Sequence, residues 1–430
     1  MKEISALLEE TVDYVQFQFT TILGDLRAVE FPVEIWEEMS EGTGVDGSSL
    51  GFLPIEQSDM RVTPVPGSLA ILPWEPRVAR FLCDITDNSN RPHPSCPRAT
   101  LRRAIAEAEE MDLQYRTRPE LEFYLVDKDC RPLDAGGYME TGPLDGLAPL
   151  RRSITDSMLA LNVGLKTIHH ENGPGQHEVE LTPEEALRQA DNVQTAKLAA
   201  KTEASLADAV CTFMPKPLPD EAGSGLHIHQ FLTRDGTNAF ADPDEGVSEL
   251  LRHFVGGIFE HVDAMSALLN PTTNSYKRLV PGHEAPVYKS WGVGNRTALI
   301  RIPGYERSAR VEYRATDGAS NIYLASALLL AAGLDGVRRR TEPNHPTTEN
   351  IERMTPSRRR ELGITQLPSS LEESLEHLEG SEFIKHVLGK EMIEIYKDVK
   401  LREIKRHREA RAKGPEAERR WELDSYLVRS

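Results

Sequence analysis

His169-His-Glu-Asn-Gly-Pro-Gly-Gln-His-Glu178 is a turn-forming centre with a glutamate on each flank. Glu171 and Glu178 are seven residues apart, so on one straight strand they would face opposite sides. The Asn172-Gly173-Pro174-Gly175 core instead predicts a reversal of direction, which folds both carboxylates towards one point. The Val179-Glu180-Leu181 stretch reads as a strand leaving the turn. A loop presenting two carboxylates together is half of a hard-metal site. The same pattern also fits a solvated hairpin with acidic flanks.

The chain of 430 residues is long enough for two or three domains and a large core. With 27% charged and 39% hydrophobic residues, it reads as a soluble globular protein. A formal net charge of -18 argues against general binding to nucleic acid or anionic membrane. Cys83, Cys96, Cys130 and Cys211 are widely spaced and contain no CxxC pair, so neither a zinc ribbon nor a disulfide framework is indicated. No apolar run has the length of a membrane span and no secretory signal opens the chain, which predicts a cytoplasmic protein.

Alternation and a Gly-Asp turn predict a β-hairpin over 12–33, with short strands at 69–73 and 79–85. A Pro-rich stretch at 92–97 precedes an amphipathic helix that starts at Arg98, which puts the domain boundary near residue 97. The expected organisation is a small β-rich domain, 1–97, followed by a large one, 98–430. In the second, strands (119–125, 166–171, 178–182, 226–232, 298–302, 309–315) alternate with helices (149–161, 184–210, 247–268, 320–337, 369–411).

Several strands carry chemical groups two residues apart and therefore on one face. These are Glu120 with Glu122, His227 with His229, and Arg310 with Glu312 and Arg314. Each alone also fits a water-facing strand side. Together, the five glutamates at 120, 122, 171, 178 and 312 and an imidazole could not share a buried site without cations, because like carboxylates repel and their desolvation is costly. Oxygen-rich ligation with one imidazole suits Mg²⁺ or Mn²⁺ better than zinc or copper. His170-Glu171 with His177 is not HExxH, and no GxxxxGK[ST] occurs, so a zincin protease and a P-loop are disfavoured. Between 270 and 286 a turn-rich stretch suited to a flexible loop ends near Glu284. Arg296 and Arg301 lie near either end of an expected strand, with Arg310 and Arg314 on the next. Arginines converging on metal ligands suit bidentate recognition of phosphate and carboxylate, although surface ion pairs have the same composition.

The series Val45-Asp-Gly-Ser-Ser, Glu120-Leu-Glu-Phe, His169-His-Glu, Pro174-Gly-Gln-His-Glu, Gly223-Ser-Gly-Leu-His-Ile-His, Asn270-Pro-Thr-Thr-Asn-Ser-Tyr-Lys-Arg-Leu-Val-Pro-Gly-His-Glu-Ala-Pro, Asn295-Arg, Ile300-Arg-Ile-Pro and Arg310-Val-Glu-Tyr-Arg resembles the successive signatures of class I glutamine synthetases. The resemblance covers nearly the whole chain in the family's order. It implies an α+β fold, with a β-grasp N-terminal domain and a catalytic domain whose antiparallel sheet forms a funnel flanked by helices. It also implies a dodecamer of two stacked hexameric rings and two or three Mg²⁺ or Mn²⁺ ions per site.

By position, the resemblance assigns Glu122, Glu171 and Glu178 to one metal and Glu120, His227 and Glu312 to another. Arg278 and Arg314 would grip the carboxylates of glutamate, with Gly223 and Tyr138 in the substrate site. Arg296, Arg301 and Arg310 would handle ATP phosphates, with His229 nearby. Asp46 from an adjacent subunit would bind ammonium and take its proton, and Glu284 would close the loop over the intermediate. The activity implied is ATP-dependent ligation of ammonia to glutamate. A γ-glutamyl ligase for a polyamine or other small amine shares the same groups, and a catalytically silent relative is a third reading. Some positions depart from the family pattern: Leu50-Gly51 is one residue short beside Asp46, Lys166 replaces a common glutamate, Ala222 an asparagine and Phe231 a serine. Thr365 stands where enterobacterial enzymes carry an adenylylated tyrosine, implying that this regulation is absent.

Overall fold

The computed structural model of the chain describes every residue except Met1, 51–57, Pro243, Glu245, His283 and 304–308. Gly51 and His283, which belong to the motifs above, lie outside the described residues. In the N-terminal part, β1 (Tyr14–Thr20) and β2 (Leu26–Pro32) form the expected hairpin. Its turn passes through Gly24 at φ +91°, a conformation that glycine adopts without penalty. Alternation sends Val15, Phe17 and Phe19 inward. β3 (Thr43–Asp46), β4 (Asp59–Pro64), β5 (Ala70–Leu72) and β6 (Glu75–Thr86) complete a sheet ordered β2-β1-β6-β4-β3, with β5 also on β6. Trp36 stacks on Phe81 at 5.1 Å and Phe17 meets Phe31 edge-on at 5.0 Å, closing this core.

The larger sheet is built around β7 (Gln114–Val126) and contains β8 (Leu165–His170), β9 (Gln176–Leu181), β10 (Glu184–Glu185) and β11 (Val210–Thr212). It also contains β12 (Leu226–Arg234), β13 (Thr237–Asn238), β14 (Trp291–Val293), β15 (Ile300–Ile302) and β16 (Val311–Tyr313). The main order is β14-β15-β16-β12-β7-β9-β8. Each sheet holds one parallel pair, β1 with β6 and β14 with β15, so both are mixed rather than purely antiparallel. Leu121, Phe123, Leu125, Val179, Leu226 and Ile228 supply the apolar face of the larger sheet, which buries against the helices. The opposite face therefore carries Arg118, Glu120, Glu122, Glu178, His227, His229 and Glu312 together.

Helix Ala186–Leu206 packs beside β7, and helices Glu249–Leu269 and Ile322–Arg339 cross nearby. Their crossing is backbone to backbone: a Cβ on Gly257 would lie 2.6 Å from the amide nitrogen of Gly336. The C-terminal stretch expected as one helix is divided into Leu371–Gly380, Glu382–Leu388 and Lys390–Arg411, followed by Pro415–Tyr426. Ser381 ends one helix and caps the next through Ile384 N–H, and Gly389 at φ +81° breaks the second. Cys83, Cys96, Cys130 and Cys211 are free and buried. Among the described residues, no helix is long and apolar enough to cross a membrane.

Replacing Gly257 with alanine forces the two helices apart. The expected cost is about 1–3 kcal/mol, read as a lower midpoint in urea unfolding; an unchanged midpoint would show that the crossing relaxes freely.

Candidate active site

The Glu171–Glu178 segment reverses direction as its composition predicts. Glu171 N–H donates to Gln176 O at 2.8 Å, and Gln176 N–H donates to Gly173 O at 2.9 Å. A side chain at Gly173 would run into the hydroxyl of Tyr124, and Gly175 sits at φ +70°, so both glycines are required. Gly175 N–H donates to Asp134 Oδ1 at 2.7 Å, tying the turn to the loop that carries Tyr138. The reversal brings Glu171 and Glu178 together, with the His169 ring between them at 3.6 Å and 3.2 Å.

Register assembles the rest. Glu178 lies opposite Glu122, Glu120 opposite His227, and His229 between Arg118 and Glu312. Glu122 accepts from Gly225 N–H at 2.6 Å, and its other oxygen lies 3.8 Å from His227 Nε2. His227 Nδ1 is 3.3 Å from Glu120 Oε2. Three overlapping groups have potential ligand atoms within 4.8 Å of one another: His169, Glu171 and Glu178; Glu120, Glu178 and His227; and Glu120, His229 and Glu312. Arg310 Nε–H donates to His229 Nδ1 at 3.0 Å. A guanidinium can only donate, so Nδ1 keeps its lone pair and Nε2 carries the proton towards Glu120 Oε1, 2.7 Å away.

The two ends of this face differ electrostatically. Burial opposes ionisation of Glu120, but His229 and His227 outweigh it and hold the carboxyl well below the usual range. Glu312 is held at about 2 by His229, Arg314 and Arg301 against its burial. At the turn no arginine pairs with Glu171 or Glu178 among the described residues. Burial, with the charges of Glu122 and Glu178, pushes Glu171 up to about 8, and burial also raises Glu178. The hydrogen bond to Glu178 raises His169 to about 9 despite its burial. A face with this surplus of oxygen donors, two of them reluctant to ionise, fits a hard divalent cation.

The arginines take distinct places. Arg301 and Arg314 both bind Glu312, the latter at 2.5 Å. Arg278 is buried and donates to Ala315 O at 2.6 Å and Arg314 O at 3.2 Å. Its stem lies against Gly223, where a Cβ would approach Arg278 Cγ to 2.7 Å. Arg296 is exposed in the turn before β15, while Arg301 lies at the centre of that short strand rather than at its end. Tyr138 is half exposed and meets His169 edge-on at 5.5 Å. Glu284 accepts from Asn172 Nδ2 at 2.8 Å, so its loop reaches the catalytic turn.

Asp46 is not part of this cluster within one chain. It ends edge strand β3, exposed, where the hydroxyls of Ser49 and Ser48 and the Ser48 N–H hold its carboxyl well below the usual range.

The sequence pattern assigned no site role to His169 or Arg118, and gave Asn172 a part only in the turn. Arg118 bridges Glu120, at 3.3 Å, and Glu180; its two-residue spacing from Glu120 was the available signal. Among the departures, Lys166 pairs with Glu180 at 3.0 Å, Ala222 O accepts from Tyr124 at 2.7 Å, Phe231 packs against the core, and Leu50 packs partly against both domain cores.

Residues 11–88 match the model of the glutamine synthetase β-grasp domain, and residues 94–421 match the glutamine synthetase catalytic domain. The chain is 44% identical over 400 residues to a glutamine synthetase of Thermotoga maritima, covering 90% of this chain and 91% of the relative. It is 38% identical over 448 residues to one of Methanocaldococcus jannaschii, covering 99% and 97%. Among solved structures it is similar to GmaS without ligand, at TM-score 0.88, and to a GmaS/ADP complex, at 0.89. Both are 30% identical and are covered in full by 99% of this chain. An α+β fold with this catalytic domain makes the protein an ATP-dependent ligase. The chain belongs to the glutamine synthetase family.

Burial and the charges of Glu122 and Glu178 push the Glu171 carboxyl up to about 8, so a cation bound there would displace a proton. Because the folded value lies above the unfolded one, ionisation of the metal-free protein weakens the fold as pH rises from about 4.5 to about 8. Mn²⁺ should therefore raise the melting temperature more at pH 8 than at pH 6, with proton release in calorimetry. Equal shifts at both would remove Glu171 from the ligand set.

Proposed function

We propose that the protein ligates ammonia to the γ-carboxylate of L-glutamate through γ-glutamyl phosphate, giving glutamine, ADP and phosphate. The observation that carries this reading is the convergence of Glu120, Glu122, Glu178, His227 and Glu312 on one sheet face, with Glu171 in the turn at its edge, beside a bank of arginines. The family relationship supports it.

In this reading, Glu122, Glu171 and Glu178 hold one divalent ion, and Glu120, His227 and Glu312 another, either Mg²⁺ or Mn²⁺. Bound there, the ions would neutralise charge on the transferring phosphoryl group. Arg296, Arg301 and Arg310 bind phosphate oxygens, and His229 positions Glu120. Arg278 and Arg314, with Gly223 and Tyr138, orient glutamate so that a γ-carboxylate oxygen attacks the γ-phosphorus of ATP and ADP departs. A carboxylate is a poor electrophile, and this step creates an acyl carbon with a good leaving group. Asp46 of an adjacent subunit holds ammonium and accepts a proton, so that the amine nitrogen attacks and phosphate leaves. Its exposure at a sheet edge supports supply in trans within a dodecamer of two hexameric rings. Glu284, already at the turn through Asn172, closes the loop and keeps water from the acyl phosphate.

The second reading is a γ-glutamyl ligase for a small amine. The one-residue shortening at Leu50, in sequence beside Asp46, keeps this reading open, while Asp46 and Tyr138 favour ammonia. Phosphate release from ATP and glutamate, compared between ammonium and an amine panel, separates the readings. Turnover with millimolar ammonium supports the first, and turnover with an amine alone selects the second.

Glu284→Ala should keep metal binding and raise ATP hydrolysed per product by about tenfold or more. A ratio of phosphate to amide unchanged from the parent enzyme would refute the closing role. Native mass spectrometry tests the dodecamer.

A further inference from the structure

A second cavity, of about 490 Å³, lies between the β1–β2 hairpin, helix Ala186–Leu206 and the segment 425–430. Its volume suits a small metabolite. Lys197 and Lys201, one helical turn apart, project from the helix into it. Lys197 is buried and Lys201 half-buried. Of the other charged groups in the wall, Asp25 pairs with Arg27 at 3.3 Å and Lys400 pairs with Glu403 at 2.8 Å, and Arg429 and the α-carboxylate of Ser430 are also present. Neither Lys197 nor Lys201 forms an ion pair among the described residues. Their ammonium groups reach main-chain oxygens instead, Lys197 that of Gly318 and Lys201 that of Arg429 at 3.2 Å. Both also lie over the Phe213 ring, at 5.3 Å and 5.9 Å. Asp25 and Asp317 attract Lys197 only from beyond ion-pair distance.

Buried charges in folded proteins are normally paired, because desolvation of an isolated ion costs several kcal/mol. Lys197 and Lys201 have no carboxylate within ion-pair distance among the described residues, so an anion entering the cavity can meet that requirement. Gln16 and Gln18 add amide groups to the same wall. We propose that this cavity binds a small anion through its carboxylate or phosphate group, with Lys197 and Lys201 as the counter-charges. The site is separate from the catalytic face, since none of the sheet carboxylates lines it. Burial and the neighbouring Lys201 charge lower the Lys197 ammonium to about 7, as expected of a cation awaiting a partner.

The test titrates metal-free, nucleotide-free protein with inorganic phosphate and, separately, glutarate, following binding by calorimetry. The arginines of the catalytic face can also take these anions, so the lysine variants distinguish binding at the cavity from binding there. Saturable binding is expected, weakened about tenfold or more in Lys201→Gln. Lys201 is partly exposed, and retained ligase turnover in this variant shows that it folds; Lys197→Met provides the second arm, and Lys128→Gln is the surface control. Binding of phosphate alone, or of glutarate alone, identifies the recognised group. No saturable binding of either anion below about 10 mM, or equal affinity in the parent and both variants, overturns the proposal.

Discussion

Mutual repulsion of carboxylates on one sheet face is the constraint around which the catalytic half is arranged. Placing Glu120, Glu122, Glu178 and Glu312 on one face of a four-strand span concentrates negative charge where water is scarce, which alone would favour protonation or unfolding. The structure answers differently at the two ends. Around Glu312 and Glu120 the compensating charge is covalent and permanent: Arg301, Arg314 and Arg118, with His229 oriented by Arg310. Around Glu171 and Glu178 it is a protonated histidine and a carboxyl proton, both lost by titration. One end is therefore set for ionised ligands before any cation arrives, whereas the other exchanges protons for one.

The same division explains why glycine recurs where side chains would otherwise help. Gly225 gives its N–H to Glu122, and a Cβ there would crowd Arg278 Nη2 at 2.6 Å and His227 Nε2 at 2.9 Å. Gly223 leaves room for the stem of Arg278. Arg278 in turn clamps the carbonyls of Arg314 and Ala315, fixing the strand end that carries Arg314. Backbone approach, rather than side-chain packing, sets the spacing between carboxylate and guanidinium here.

Much of this was legible in the sequence because the period of a strand is two. Glu120 with Glu122 and His227 with His229 could be assigned to common faces without knowing their partners, and Asn172-Gly-Pro-Gly announced the reversal. What could not be read was register. His169 enters the site because it lies opposite Glu178, and the pairing of Lys166 with Glu180 follows an irregularity between Leu165 and Thr167 that strict alternation would not place. β3, four residues long and containing a glycine, has too little pattern to announce itself, although it carries Asp46. Helix boundaries in 369–411 depended on serine caps and Gly389, local signals outweighed by the continuous apolar spacing.

The catalytic face and the lysine-lined cavity share a support. Glu122 is held by Gly225, which bridges to Asp317 at the end of the sheet. Asp317 is fully buried, takes hydrogen bonds from Asn270 and the Ala319 N–H, and is followed by Gly318, whose carbonyl receives Lys197. Gly318 has no freedom to adjust, since a Cβ there would lie 2.8 Å from Phe213, the ring beneath both lysines. Packing this close transmits displacement instead of absorbing it. Lys197, Gly318, Asp317, Gly225 and Glu122 thus form one run of close contacts from the cavity wall to the sheet face.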